Sequence, residues 1–285
     1  MACRLESEVE VTTTWAFSYV SKVSFVILDM FNLQSIHIDI AKETAWVQTG
    51  ATLVGTGGHF SGGGYGVMMR KHGPFVDIII DAQIVDAIRG GGGASFGIIL
   101  SWKIKLVQIP PKVTMFNVSI TLKQGANDIL YQWQEVAPKL PGDLFIRAIV
   151  DNVNGTITAR LQGNELAKFN PVLGWTSGGK KLRNFLQQNI DTRVGIKFMQ
   201  WSPYGGRMSE ILEAETPFPH RAGNLFKLQN CMVWYHDNVI KDGIKSIREL
   251  NGVMTPYVLS KPREAFLNYR DLDIGKRSNS SKAGT

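Results

Sequence analysis

Short runs of alternating apolar and polar positions dominate the first third of the chain. The segments 24–29, 36–40 and 45–49 are β-branched or aromatic with polar breaks between them, and each reads as a strand. The run 76–85 reads as another. In 98–107, Trp102, Ile104 and Leu106 alternate with Lys103 and Lys105, which predicts a strand buried on one face only. Pro110-Pro111 then marks a domain boundary. Beyond it, 113–122 reads as a strand and 127–140 as an amphipathic helix with Ile129, Trp133, Val136 and Leu140 on one face. Leu144–Val150 and Thr156–Leu161 flank Asn154-Gly155 as a hairpin, with a connection longer than the tightest kind. A short helix over 180–189, a strand over 224–235 and a helix over 238–250 follow, the last with Ile240, Ile244 and Ile247 on its apolar side. The tail from Lys276 is polar and reads as disordered. Strands first and mixed elements afterwards predict an α+β fold, not a doubly wound parallel sheet.

Composition narrows the function classes. With 285 residues, 44% hydrophobic and 19% charged, the chain has room for two packed domains and is no disordered polymer. A net charge of +7 favours anionic company, a pyrophosphate cofactor among others. The Lys and Arg residues are spread out, however, so no nucleic-acid footprint is expected. Cys3 and Cys231 fit neither a disulfide framework nor a metal-ligand spacing, and His37, His59, His72, His220 and His236 are scattered, so no metal site is expected. The amino-terminal MACRLESEVEVTTTW is not a secretory signal as written, and no apolar stretch is long enough to span a bilayer. Sequons at Asn117, Asn154 and Asn279 would matter only in a secreted chain.

Two glycine segments change the picture. The stretch 55–66 holds seven glycines and 90–97 holds five, together twelve of the 29 in the chain. Ordering each glycine within a regular element costs ~0.5–1 kcal/mol relative to Ala, so the pair costs on the order of 6–12 kcal/mol, comparable to the stability of a whole domain. A ligand lying against bare backbone would offset this, since glycine lets N–H groups approach a phosphate or a flat ring. Flexible linkers are the competing reading, but strongly apolar strands flank both segments, which contain Phe60, Tyr65 and Phe96. Neither the G-x-G-x-x-G fingerprint nor a P-loop is present. Gly93-Ala-Ser-Phe-Gly97 satisfies G-x-S-x-G, with His220 and His236 downstream. A hydrolase nucleophile elbow needs a helix next, and here a strand pattern follows.

Trp46-Val-Gln-Thr-Gly-Ala-Thr-Leu53, Gly57-Gly-His-Phe-Ser-Gly-Gly-Gly-Tyr-Gly66, Asp81-Ala-Gln-Ile-Val-Asp86 and Ala87-Ile-Arg-Gly-Gly-Gly-Gly-Ala-Ser-Phe-Gly97 occur in this order. Trp201-Ser-Pro-Tyr-Gly-Gly206, Pro217-Phe-Pro-His-Arg221 and Asn268-Tyr-Arg-Asp-Leu-Asp-Ile-Gly275 follow. In these strings, from about Phe17 to Gly275, the chain resembles the plant berberine bridge enzyme-like oxidases. The resemblance implies an incomplete FAD-binding domain of the p-cresol methylhydroxylase type over 17–110. It further implies a substrate domain over 111–255 with an antiparallel sheet covered by helices, a return segment over 256–275 and a tail over 276–285.

The implied chemistry is oxidation of an alcohol of carbohydrate or monolignol type, with hydride passed to the flavin and dioxygen reduced to hydrogen peroxide. Carried over by position, Gly57, Gly58, His59, Gly62, Gly63 and Gly64 match one cofactor loop, and Gly90, Gly91, Gly92, Gly93, Ser95 and Gly97 match a second. Tyr65, Lys227, Gln229 and Tyr269 match catalytic positions. Lys227 and Gln229, two apart on a predicted strand, share a face in any case. Gln229 stands where alkaloid-oxidising members carry a carboxylate base, which points away from alkaloid ring closure. The implied partners are a small-molecule alcohol or carbohydrate and O2, for a monomer with no membrane or nucleic-acid partner. Relatives are commonly exported.

The match breaks where the family tethers its flavin. The stretch before Tyr19 reads TTTWAFS, without the histidine of the family's R-S-G-G-H loop, and only Leu53, Val54, Gly55 and Thr56 stand between Thr52 and Gly57, with no cysteine. Segments are also missing between Asp86 and Ala87 and within the substrate domain. Any FAD is therefore expected to be non-covalent, and a degenerate relative that binds FAD weakly or not at all is the competing expectation.

Overall fold

Period-two alternation becomes two antiparallel sheets. The computed structural model describes residues 29–51, 56–86, 97–153, 156–165, 180–190, 196–233, 239–258, 266 and 268. The strand read at 24–29 (apart from Asp29), the second glycine segment from Gly90 to Phe96, Tyr269 and the tail from Lys276 lie outside them.

The first sheet contains β1 (Ile36–Asp39), β2 (Thr44–Gln48), β3 (Ile79–Asp86) and β4 (Gly97–Lys105), in the order β1-β2-β4-β3. Ala45, Val47, Ile99 and Trp102 point to its buried face. There the Phe60 ring stacks on Phe75 at 4.3 Å and meets Trp102 edge-on at 6.1 Å. Lys103 lies on the opposite face, over the Trp46 ring, as the Trp102/Lys103 alternation predicts. At the β1 edge, Ile36 and Ile38 pair with Val47 and Ala45 and so share their face, yet they are 52% and 56% exposed.

The second sheet contains β5 (Thr114–Thr121), β6 (Leu144–Val153), β7 (Thr156–Glu165), β8 (Ile196–Pro203) and β9 (Phe226–Val233), in the order β5-β7-β6-β8-β9. One face packs on helices α3 (Ala126–Val136), α4 (Lys180–Asn189) and α5 (Ile240–Met254). Leu130, Ala148, Val150, Met199 and Trp201 fill that core, and each large side chain buried there contributes ~1.5–3 kcal/mol. Trp133 meets Trp201 edge-on and donates its indole N–H to the Ile146 carbonyl at 2.9 Å.

Two expectations need correction, and two elements are not anticipated. Val136 is 47% exposed; the apolar stripe of α3 is Ala126, Ile129, Leu130, Trp133 and Ala137, and the helix gives way to a 3₁₀ turn at Ala137–Lys139 where Pro138 has no N–H to offer. The β6–β7 register pairs Val153 with Thr156, so only two residues connect the strands. Strand β8 escapes the pattern reading because Lys197, only 4% exposed, shares the parity of Met199 and Trp201 and breaks the apolar alternation. Finally, Thr56–Ser61 forms a short helix, α1, within the first glycine segment. Burial of Phe60 and a 2.6 Å bond from the Ser61 hydroxyl to the Gly57 carbonyl offset the glycines' poor helix propensity.

Two buried arginines join the sheets. Arg70, on α2 (Met69–His72), is fully buried and donates to the carbonyls of Leu144 at 2.7 Å, Leu140 at 2.5 Å and Pro138 at 3.1 Å. Pro138 and Leu140 follow α3, where helical carbonyls lack intrahelical partners, and Leu144 opens β6. Burial lowers the Arg70 pKa to about 10, so it stays charged at neutral pH. Arg221 pairs with Asp77 at 2.6 Å, and Thr216 donates to the same carboxylate at 2.8 Å.

Candidate active site

The face of the second sheet turned away from the helices carries a set of polar side chains. Ser119, Arg160, Ile149, Gln200 and Gln229 lie side by side in register across all five strands. One row along, Thr158 donates to Asp151 at 2.5 Å, and Arg160 forms an ion pair with the same carboxylate. Ser202 pairs with Lys227, and Gln200 pairs with Gln229.

Against this face sits the end of the first glycine segment. The Lys227 amine lies 3.1 Å from the centre of the Tyr65 ring and 4.8 Å from that of Phe266. Lys227 is only 9% exposed. Burial, and then the Arg147 guanidinium, lower its pKa to about 6, with Cys231 pulling weakly the other way. At neutral pH the amine is therefore largely uncharged, a base in a dry aromatic box. Gln200 links the box to the strand pair, its amide 3.5 Å from the Tyr65 hydroxyl and 3.4 Å from the Gln229 carbonyl oxygen.

The sequence strings point to Tyr65, Lys227 and Gln229, and the fold brings all three together. Gln200 is the residue that sequence reasoning misses. Its one signal is its place directly before the Trp201–Gly206 string; the register that sets it opposite Gln229 exists only in the folded sheet.

The loop that carries Tyr65 is held from several sides. His59 donates its Nε2–H to the Tyr65 carbonyl at 2.9 Å; burial lowers the imidazole pKa, that bond opposes the shift, and the Lys227 amine adds to the lowering only when protonated. Asn268 donates to the carbonyls of Gly58 and His59 at 3.2 and 3.3 Å. Gly63 and Gly64 have φ of +111° and +65°, and the Phe218 and Phe75 rings stand where their side chains would begin. Thr49 and Asn268 fill the same space beside Gly57 and Gly62. The gaps left by these four glycines thus belong to the protein's own packing. Gly58 differs: it is exposed, with open space beside its α-carbon. Gly97 opens β4, half-buried and paired with Asp86. Gly90, Gly91, Gly92, Gly93, Ser95 and Tyr269 lie outside the described residues.

Among the described residues no His, Cys, Asp or Glu cluster could hold a metal ion, and no helix is long and apolar enough to cross a membrane. No family model matches the chain. Individual proteins do. Berberine bridge enzyme-like 4 of Arabidopsis thaliana is 38% identical over 363 residues, covering 90% of this chain and 68% of the relative. The chain belongs to the berberine bridge enzyme-like family.

Solved structures agree with that assignment. The berberine bridge enzyme-like protein number 28 of Arabidopsis thaliana superposes with a TM-score of 0.77 at 31% identity, over 88% of this chain and 73% of the other. Phl p 4, a grass pollen allergen with glucose dehydrogenase activity, superposes with a TM-score of 0.78 at 28% identity, over 90% and 72%. The α+β fold with antiparallel sheets and the placing of the chain among plant flavoproteins follow, and by family it is an FAD-dependent oxidoreductase. Because the match to the first relative spans 363 positions and this chain has 285 residues, the relative carries internal segments that this chain lacks.

The geometry is compatible with that cofactor. Neutral amides at Gln200 and Gln229 beside the Tyr65 hydroxyl suit the edge of a flat ring rich in carbonyl and nitrogen groups, and Gly58 leaves its backbone open to a close neighbour.

Proposed function

We propose that this chain oxidises an alcohol carbon of a carbohydrate-type substrate, with FAD held without a covalent bond. The observation that carries the reading is the Lys227 amine, 3.1 Å from the Tyr65 ring centre and depressed to a pKa of about 6, on a sheet face that also carries Ser119, Arg160, Gln200 and Gln229. When bound, FAD supplies the hydride acceptor and dioxygen the final oxidant, giving hydrogen peroxide. The chain's own part is to bind, orient and deprotonate. Lys227 takes the proton from the substrate hydroxyl as an amine and holds it as an ammonium. Gln200 and Gln229 orient the hydroxyl by hydrogen bonds, and Tyr65 and Phe266 keep bulk water off the amine. A neutral amide at Gln229 cannot itself take the proton, which leaves Lys227 in that role. Tyr269, Gly90 to Gly93, Ser95 and Gly97 are proposed members of the same site from sequence position.

The polar rows across β5, β7, β6, β8 and β9 favour a polyhydroxylated ligand over an apolar one, and the glucose dehydrogenase activity of the Phl p 4 neighbour supports the same choice. A second reading, a non-catalytic relative, is favoured by the internal segments missing relative to family members.

Flavin absorbance of the purified chain separates the two. Pigment released into the supernatant on acid precipitation, with peroxide formed from sugars, supports the oxidase. Pigment in the pellet would overturn the non-covalent assignment. Absence of pigment after incubation with FAD would establish the non-catalytic relative.

A further inference from the structure

An amine built to take a proton is also built to attack carbon. Lys227 stands on β9 with 9% of its surface exposed, its nitrogen 3.1 Å from the Tyr65 ring centre and 4.8 Å from that of Phe266. A lysine desolvated in this way keeps its lone pair and is the kind that adds to carbonyl groups, whereas an exposed ammonium has no pair to offer. The titratable groups around it favour the neutral form. Arg147 on β6 brings positive charge, His59 on α1 is itself held towards neutrality by burial, and the Cys231 thiol farther along β9 pulls weakly the other way. A hydroxyl that gives its proton to this nitrogen places its own carbon about 3–3.5 Å away, the separation of a pair poised to react. Once that carbon has lost hydride it is a carbonyl. Lys227, an ammonium at that moment, sheds its proton at neutral pH and faces the carbonyl as an amine.

We infer that Lys227 forms a reversible imine with the aldehyde that oxidation of a primary alcohol leaves in the site, so that the chain captures its own product and slows as product accumulates. The nitrogen lone pair bonds to the aldehyde carbon, the carbonyl π pair moves to oxygen, and a proton passes from nitrogen to that oxygen, giving a carbinolamine. The carbon–oxygen bond then breaks. The Tyr65 hydroxyl gives the leaving oxygen its proton and recovers one from the nitrogen, so that one water leaves for each imine formed. No electrons are exchanged, and hydrolysis by the reverse path frees the amine. Gln200, its amide 3.5 Å from the Tyr65 hydroxyl and 3.4 Å from Gln229, holds the oxygen during both steps. The inference rests on the alcohol-oxidation reading for the source of the aldehyde, but capture of an added aldehyde needs neither flavin nor turnover.

The test is incubation of the full chain, without added FAD, with D-glyceraldehyde and sodium cyanoborohydride, which reduces an imine to a stable secondary amine. Mass spectrometry of the digested protein then maps the labelled lysines. At pH 7 an ordinary lysine is neutral in roughly one molecule in a few thousand, so Lys227 should be labelled at least about tenfold faster than the exposed Lys42 and Lys105. Its labelling rate should level off above pH 7, while theirs keeps climbing towards pH 10. Labelling of Lys227 no faster than that of Lys42, a rate that climbs with the surface lysines, or labelling only after unfolding in urea would overturn the capture. Imine formation without peroxide from any sugar or alcohol would overturn the oxidase reading and leave the capture standing. Peroxide formation with Lys227 unlabelled would do the reverse.

Discussion

Asp77 and Arg221, 144 residues apart, meet at 2.6 Å with side chains 6% and 1% exposed. The pair ties the 3₁₀ turn Phe75–Asp77 beneath the first sheet to the segment that carries Phe218. Phe218 backs Gly63 and packs against Phe266, which in turn stands edge-on to Tyr65. One ion pair therefore braces the aromatic box from behind.

Removing one partner strands the other charge in a dry place. Arg221→Met is expected to cost ~3–5 kcal/mol of stability. The double variant Asp77→Asn, Arg221→Met should recover part of that loss, because no lone charge remains. Urea unfolding of the two variants and the parent checks the order.

Lys227 gives the chain a pH signature. Its pKa is about 6 in the fold, against 10.5 for a lysine free in water, so between those values the unfolded chain binds a proton that the folded chain does not. Stability from this group therefore rises with pH across that window, by up to about 1.4 kcal/mol per unit. Below it both states are protonated and the full penalty of burying the charge is felt. Lys227→Met should thus be more stable than the parent at pH 5.5, with the gap shrinking towards pH 10. Urea midpoints at four pH values would show the trend, and a constant gap would refute it.

Peroxide formation should follow the same group. The rate at low substrate should increase as pH rises through about 6 and level off above it, since only the neutral amine takes a proton. Gln229→Glu puts a carboxylate on the same strand face, which favours the ammonium. The rising limb should then move to higher pH, by roughly one unit or more for a charge in direct reach. A pH–rate profile of both proteins decides it.

Gly63→Ala meets two obstacles, a backbone at φ +111° and the Phe218 ring. A loss of more than about 1 kcal/mol is expected, since the native conformation does not suit an alanine. Phe218→Leu in the same chain relieves the collision but not the backbone, so it should restore only part of the loss. Thermal melts of the single and double variants measure the difference.

Much of the fold is legible because strands announce themselves through parity. Trp102 and Lys103 sort to opposite faces as their alternation says, and Lys227 and Gln229 share one. Parity fails where a polar residue is buried on the core side. Lys197 hides β8, and with β8 goes Gln200, the amide that joins Tyr65 to Gln229. The first glycine segment is legible as ordered, but its sequence does not disclose what the glycines accommodate. Thr49, Phe75, Phe218 and Asn268 come from four separate parts of the chain, and only the folded arrangement brings them to Gly57, Gly64, Gly63 and Gly62.

Arg70 reaches from its short helix into the connection that leads to β6, its charge met among the described residues by the oxygens of Pro138, Leu140 and Leu144. Neither half can loosen alone without leaving a bare cation in oil. The short helix and the start of β6 should therefore open together, and the slowest-exchanging amide protons should be shared between them.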